Sequence, residues 1–328
     1  MPETQGPRFP RFDRSSIRTY PLGERENLMG LSTLIFPQAV ERGERFSDPG
    51  LDIVVERIRE ARDRQKPVIA MLGGHVVKVG CSPLIVDLLE RGWLTHVAGN
   101  GAVSIHDFEL ALIGESTEHV PTKIEDGSFG MAEETGAMMN RAIREGAAAG
   151  LGYGESVGRM ISEGGERFPN RAVSILAAGH RLGVPVTIHV TIGADIIHQH
   201  PLADGRALGF ASDQDFLIFT HSVSLMVGGG VFLNFGSAVT GPEVFLKALS
   251  MARNVGRRVA DITTANFDLV PLSMSDDSGP DRFQRVEYFY RPKKNVVVRP
   301  TSRGRSGHHI VGDHRRTIPE IHRRLTAR

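Results

Sequence analysis

Two lysines, Lys293 and Lys294, follow the aromatic run Tyr288-Phe289-Tyr290. A lysine walled in by aromatic side chains loses hydration and then its proton, which makes it an imine-forming nucleophile; the plainer alternative is a solvated basic turn. Carboxylates able to hold a cationic ligand stand at Asp107, Glu109, Asp195, Asp204, Asp276 and Asp277, and Asp107 also fits a capping-box-like pair with Ser104. His189, His198, His200 and His221 fall in one region, and His198-Gln199-His200 offers two ligands on one face of an extended segment. No third ligand stands at a suitable spacing, so we expect histidines along a polar cleft rather than a metal centre. The single cysteine, Cys81, precedes a helix start, where a thiolate is stabilised, but a small buried core residue is the expected role.

These groups need a scaffold, and the glycines indicate which one. There are 37 glycines in 328 residues, above the usual ~7%. Four stretches are expected at the carboxyl ends of strands: Gly73-Gly74-His75, Gly99-Asn100-Gly101, Thr191 to Asp195, and Gly228-Gly229-Gly230. Glycine there lets the backbone approach a phosphate, and the next helix presents free N–H groups to it. None carries the three-glycine dinucleotide fingerprint, and Gly150-Leu151-Gly152-Tyr153-Gly154, a formal near-match, follows a helical stretch rather than a strand.

The elements between them alternate. Val68 to Leu72 reads as a strand buried on both faces, followed by a helix from Ser82, with Pro83 at its first position, to Arg91. Leu94 to Ala98 reads as a strand and Ser104 to Ala111 as a helix. Asn170 to Gly183 reads as a helix, Pro185 to Val190 as a strand, Ser212 as a helix start, Pro242 to Asn254 as a helix and Val259 to Thr264 as a strand. The stretch from Gly127 to Gly165 reads as helical. Strands alternating with helices give an α/β fold with a Rossmann-like, doubly wound, mostly parallel sheet. Residues 1–27, rich in Pro and Arg, read as an arm over the surface or a neighbouring subunit; 28–328 read as one domain.

Composition narrows the function classes. Thirty-nine basic against thirty-eight acidic residues leave a net charge of +1, so no nucleic-acid partner is expected. One cysteine excludes a disulfide within the chain and any multi-cysteine metal site. No apolar run approaches a membrane span and the first residues are not a secretory signal, so a cytoplasmic protein without membrane attachment is expected.

From about Pro67 to Ile321 the order of motifs resembles the deoxyhypusine synthase family. Val97-Ala98-Gly99-Asn100-Gly101-Ala102 is similar to its Thr-Ala-Gly-Gly turn, and Ile192 to Ile197 to its Asp-Gly-Ser-Leu-Gly-Asp-Met-Ile segment. Met226-Val227-Gly228-Gly229-Gly230-Val231 matches its Ile-Leu-Gly-Gly-Gly-Val, and Ser275 to Gly279 its Ser-Asp-Ser-Gly turn. The resemblance implies NAD as cofactor, a homotetramer, and transfer of an aminobutyl group from a polyamine such as spermidine to an acceptor amine through an enzyme-lysine imine. It implies cofactor contacts at Gly73, Gly74, His75, Gly99, Asn100, Gly101, Gly228, Gly229, Gly230, Asp277, Ser278 and Asp313. It implies substrate contacts at Asp107, Glu109, Asp195, His198 and Asn234, the last standing where the family has a histidine. The family's Trp-Gly-Lys is not reproduced, and an insertion of three or four residues brings Lys293 or Lys294 to its lysine. Alternatives are homospermidine formation, redox-neutral deamination or cyclisation of an amino acid by transient hydride transfer, and NAD binding without catalysis.

Overall fold

The computed structural model describes residues 8–272, 286–301 and 307–327. Six parallel strands form the central sheet: Val68–Leu72 (β1), His96–Asn100 (β2), Val186–His189 (β3), Val231–Phe235 (β4), Thr263–Asp268 (β5) and Gly307–Val311 (β6). Their spatial order is 3-2-1-4-5-6, the doubly wound arrangement in which the chain reverses direction between β1 and β4. All residues of β1 and β4 are buried, as expected for strands covered on both faces.

Helices cover each face. Pro49–Asp63 (α1), Ser82–Glu90 (α2) and Gly101–Ile113 (α3) pack with the larger core cluster, built on Val68, Ala70 and Leu72 of β1. Helices Glu133–Ala148 (α4), Tyr153–Glu163 (α5), Ile175–Leu182 (α6) and, near the carboxyl end, His314–Thr326 (α9) extend that layer. On the other face, Gly205–Ser224 (α7) and Thr240–Asn254 (α8) bury Phe219, Val223, Phe245 and Leu249 against Ile69, Met71 and Phe232. Each such large side chain contributes about 1.5–3 kcal/mol.

Several boundaries differ from the sequence reading. The second strand takes in Gly99 and Asn100, and α3 starts at once from Asn100, whose side chain accepts from Val103 N at 3.3 Å. Helix α7 opens at Gly205 rather than Ser212, because the Asp204 carboxylate caps the Arg206 and Ala207 amides. The fifth strand starts at Thr263, not Val259: the Arg253 guanidinium holds the Val259 carbonyl at 2.7–3.0 Å, outside the ladder. The expected helix from Asn170 begins at Ile175, after a short 3-10 turn, where Ser174 caps it.

The edge strand β3 is closed against further pairing. Its outward Ile188 amide donates to Asp215 of α7 at 2.6 Å, and Val190 N donates to Ser212 at 3.3 Å. Among the described residues no helix is long and apolar enough to cross a membrane.

Candidate functional site

In an open parallel sheet, ligands collect outside the carboxyl ends of the strands, where the winding reverses. The turn after β1 meets the turn after β4 here. The Gly73 amide donates to Phe235 O at 2.8 Å, and a Cβ on Gly73 would stand 2.4 Å from Gly236 O. Only glycine permits that approach. A Cβ on Gly74 would meet that of Ala102 at 2.8 Å, which packs the short helix Gly74–Lys78 on the start of α3. His75 is exposed beside them.

Two of the three remaining glycine-turn expectations join this edge, and one does not. Gly99, Asn100 and Gly101 lead from β2 into α3, and Thr191 to Asp195 leave β3. Gly228, Gly229 and Gly230 precede β4 instead of following a strand. They therefore lie at the amino edge, a five-residue strand or about 16 Å away, beside Lys66 and Arg64. Met226 and Val227 are not a strand: α7 runs to Ser224, so the triple glycine enters a strand rather than leaving one. Asp313 does follow β6, but its carboxylate caps α9 and pairs with Arg315 at 2.7 Å, which holds its pKa down at about 2. Asp276, Asp277 and Ser278 lie outside the described residues.

Asp195 sits against the start of α3. A Cβ on Gly101 would stand 2.1 Å from its Oδ2, so the carboxylate rests on the helix end that favours negative charge. Burial works the other way and pushes its pKa up to about 6. His198 braces this turn: its Nδ1 accepts from Gly193 N at 3.0 Å and Asp195 N at 3.1 Å. The ring proton therefore lies on Nε2, which is buried without a hydrogen-bond partner, 3.8 Å from Asp195 Oδ2. Burial lowers the His198 pKa and keeps the ring neutral.

A cavity of about 230 Å³ opens beside Asp195 and is lined also by Arg25, Lys78, His106, Glu118 and Phe129. The amino-terminal segment supplies Arg25 to its wall. Arg14 donates to His198 O at 3.1 Å, and Arg25 grips Glu109 through two bonds of 2.9 and 2.6 Å. Glu109 accepts further bonds from Ser116 at 2.7 Å and Thr135 at 2.8 Å, so its lone pairs are taken and it is not free to hold a substrate cation. Asp107 is likewise occupied. It is fully buried and accepts from Ser174 Oγ at 2.5 Å, Ile175 N at 2.7 Å and Leu176 N at 3.2 Å, anchoring α6. Its partner is the start of another helix, not Ser104, whose hydroxyl bonds Gly101 O and Tyr153.

His106, Lys78, Arg25 and Glu118 were not singled out from sequence. His106 Nδ1 lies 2.7 Å from the Ser116 hydroxyl, which itself donates to Glu109, so Nδ1 carries the proton and Nε2 a lone pair. Burial brings its pKa down to about 4. The only signal for it was its place one turn before Glu109 on the same helix face. Nothing local marked Arg25 as part of a site, because its carboxylate partners are 84 and 93 positions away.

The other half of the crevice lies on β4 to β6. Asn234, Asn266 and His309 stand in register on three adjacent strands. Asn234 Nδ2 donates to Asn266 Oδ1 at 2.7 Å, Asn266 Nδ2 donates to His309 Nδ1 at 3.0 Å, and His309 Nε2 donates to Val270 O at 2.8 Å. That chain fixes the Asn234 amide and leaves its Oδ1 buried and unpartnered. His314 Nδ1, at the start of α9, is a second buried atom without a partner, beside Gly236.

Lys293 is 1% exposed and opens a π-helical turn, Lys293–Val298. Such turns are rare and recur at functional sites. It lies between Tyr290, which donates to Asp268 at the end of β5, and Asn295, which donates to Glu243 of α8 at 2.9 Å. Lys294 is half-buried. Cys81 is buried and its pKa is pushed up to about 12 by burial, which makes it an inert thiol. Among the described residues no three His, Cys, Asp or Glu side chains converge as metal ligands.

The sequence matches no family model and no curated protein. Among solved structures it is similar to an AgrE variant in complex with L-arginine, at 15% identity and a TM-score of 0.48 over 86% of this chain and 34% of that one. It is similar to AgrE in ternary complex with ornithine and NAD+, at 14% identity and a TM-score of 0.47, with the same 86% and 34% covered. A LOR/SDH protein from Methanococcus maripaludis S2 matches at 13% identity and a TM-score of 0.44, over 94% of this chain and 74% of that one. The chain thus spans about a third of the length of AgrE.

Proposed function

We propose that this protein is an NAD-dependent enzyme acting on a small zwitterionic amine, an amino acid of the ornithine class, without net oxidation. The observation that carries this reading is the mixed charge of the cavity at the switch point. Asp195 and Glu118 face it together with Lys78. A polyamine asks for carboxylates alone, whereas an amino acid asks for a carboxylate and a cation side by side.

A dinucleotide fits the crevice on observations independent of that pocket. The sheet reverses its winding there, the glycine turns after β1 and β2 bring the backbone to its rim, and His314 Nδ1 and Asn234 Oδ1 are buried atoms awaiting partners. Gly73, Gly74, His75, Gly99, Asn100 and Gly101 would hold it. Bound there, NAD would supply a reversible hydride acceptor for an amine-bearing carbon. Asp195 holds the substrate ammonium, Lys78 the carboxylate, and the Nε2 lone pair of neutral His106 accepts a proton.

A second reading is aminobutyl transfer through Lys293, and the burial of that lysine favours it. One experiment separates the two. Purified protein is incubated with NAD and either ornithine or spermidine, and ammonia, transferred aminobutyl group and reduced cofactor are measured. Ammonia from ornithine without accumulated reduced cofactor is the expected result. Aminobutyl transfer abolished by Lys293→Met would replace it with the second reading, and NAD binding with no turnover of either amine would overturn both.

A further inference from the structure

Helix α7 is apolar on two sides. Its inner side buries Leu208, Ala211, Phe219 and Val223, as a helix on a sheet must. Its outer side leaves Phe210 43% and Leu217 46% exposed, with Leu225 just past its end at 47%. Large apolar side chains exposed together on the outer side of a helix mark a surface that a partner covers. The spacing of Arg206, Phe210, Asp213, Leu217 and His221 is four, three, four and four residues, so these side chains share one stripe along a helix about 30 Å long.

We infer that this stripe is a homodimer interface, in which α7 of one copy lies antiparallel to α7 of a second copy about a two-fold axis at Leu217. The order of residues selects a second copy over any other partner. Asp213 and His221 lie four positions either side of Leu217, so each carboxylate meets the other copy's imidazole. Phe210, seven positions before, faces Leu225, eight positions after. Leu217 packs on itself. The two exposed ionisable groups nearest the axis thereby find complementary partners, and the apolar groups find each other, as an isologous contact requires. Antiparallel helices also oppose their dipoles favourably. A cavity of about 250 Å³ adjoins the stripe at Ile218, so the same face offers a recess as well as a ridge. The inference is independent of the proposed reaction.

Sedimentation of the purified full chain tests it. The wild type is expected at twice the chain mass or a multiple of that, and Leu217→Glu at half the wild-type mass with unchanged circular dichroism. Asp213→Lys should weaken the dimer at least tenfold, and adding His221→Asp should restore it, because the exchange re-forms the pair only in the antiparallel register. Should Leu217→Glu fail to fold, mild oxidation of Leu217→Cys decides the matter. It should give a disulfide-linked dimer, since the native Cys81 is buried, whereas Val120→Cys, exposed elsewhere, should give none. A monomeric wild type, an unchanged mass for Leu217→Glu, or no cross-link through Leu217→Cys would overturn the inference.

Discussion

The carboxylates near the cavity show how little residue type says without its neighbours. Asp107, Glu109 and Asp195 look alike in sequence, but Asp107 and Glu109 spend their oxygens on a helix end and on Arg25. Glu109 and Asp195 both line the cavity, but of the two only Asp195 keeps oxygens that Arg25, Ser116 and Thr135 have not taken, and its pKa of about 6 gives it a kinetic signature. Below that value the group is protonated and cannot hold an ammonium, so kcat/KM for the amine should fall as pH drops through about 6 and level off above. Asp195→Asn should remove the inflection and lower kcat/KM by roughly 10–150-fold, the worth of a charged hydrogen bond of about 1.5–3 kcal/mol. An inflection that survives the substitution assigns it to another group. The lysines divide in the same manner. Lys293→Ala should cost about 2–5 kcal/mol of stability through the cavity it leaves, read as a lower urea midpoint, while half-buried Lys294→Ala should stay within about 0.5 kcal/mol of wild type. From sequence the two were equal candidates, because burial is decided by where the π-helical turn packs.

Elements carried most of what was legible. The strand Val68–Leu72, the helix from Ser82 and the glycine turns after β1 and β2 follow from runs, caps and spacing, and they place one edge of the site. The triple glycine misled because a glycine run has no direction: it ends a strand or enters one equally well, and only the length of α7 settles which. That difference is measurable. Gly228→Ala, at φ +82 with only the Lys66 side chain in ordinary contact at 3.7 Å, should cost about 1–2 kcal/mol of stability and leave NAD affinity unchanged. Gly73→Ala would drive a Cβ to 2.4 Å from Gly236 O, part the turns of β1 and β4, and cost about 1–3 kcal/mol together with a tenfold or greater loss of NAD affinity. Isothermal titration of both variants checks this, and equal NAD affinities would remove the switch-point crevice from cofactor binding. The Asp107 anchor of α6 was not legible: the expected capping pair with Ser104 does not form, and the carboxylate instead accepts from residues 67 to 69 positions away. Asp107→Ala should therefore cost about 2–3 kcal/mol of stability, the penalty of the stranded donors, read as a lower urea midpoint, and leave kcat unchanged in the fraction that folds.

At the scale of the whole molecule, the buried titratable groups pull stability in opposite directions with pH. Burial raises Asp107 and Asp195 to about 6 and Asp215 to about 7. A carboxyl group raised in the folded state contributes most below its ordinary value and loses that contribution as pH rises through the folded value. Burial also brings His96 and His189 down to about 3 and His106 and His314 down to about 4. An imidazole lowered in the folded state does the reverse: its contribution is full above about 6.5 and is lost as pH falls toward the folded value. Between about pH 4 and 6.5 both sets act at once, and the histidines are more numerous and more strongly displaced. Stability should therefore decline on acidification from pH 7 to 5, with the unfolding temperature following. His96→Gln should flatten the decline, since the amide can still reach Ser222 or Thr187 but has no proton to take up. Asp215→Asn should steepen it: the amide oxygen can still accept from Gly154 and Ile188, while the one carboxyl that opposes the histidines up to pH 7 is gone. An unfolding temperature that instead rises from pH 7 to 5 would mean that the carboxyl groups, and with them the closed edge of the sheet at β3, dominate the balance.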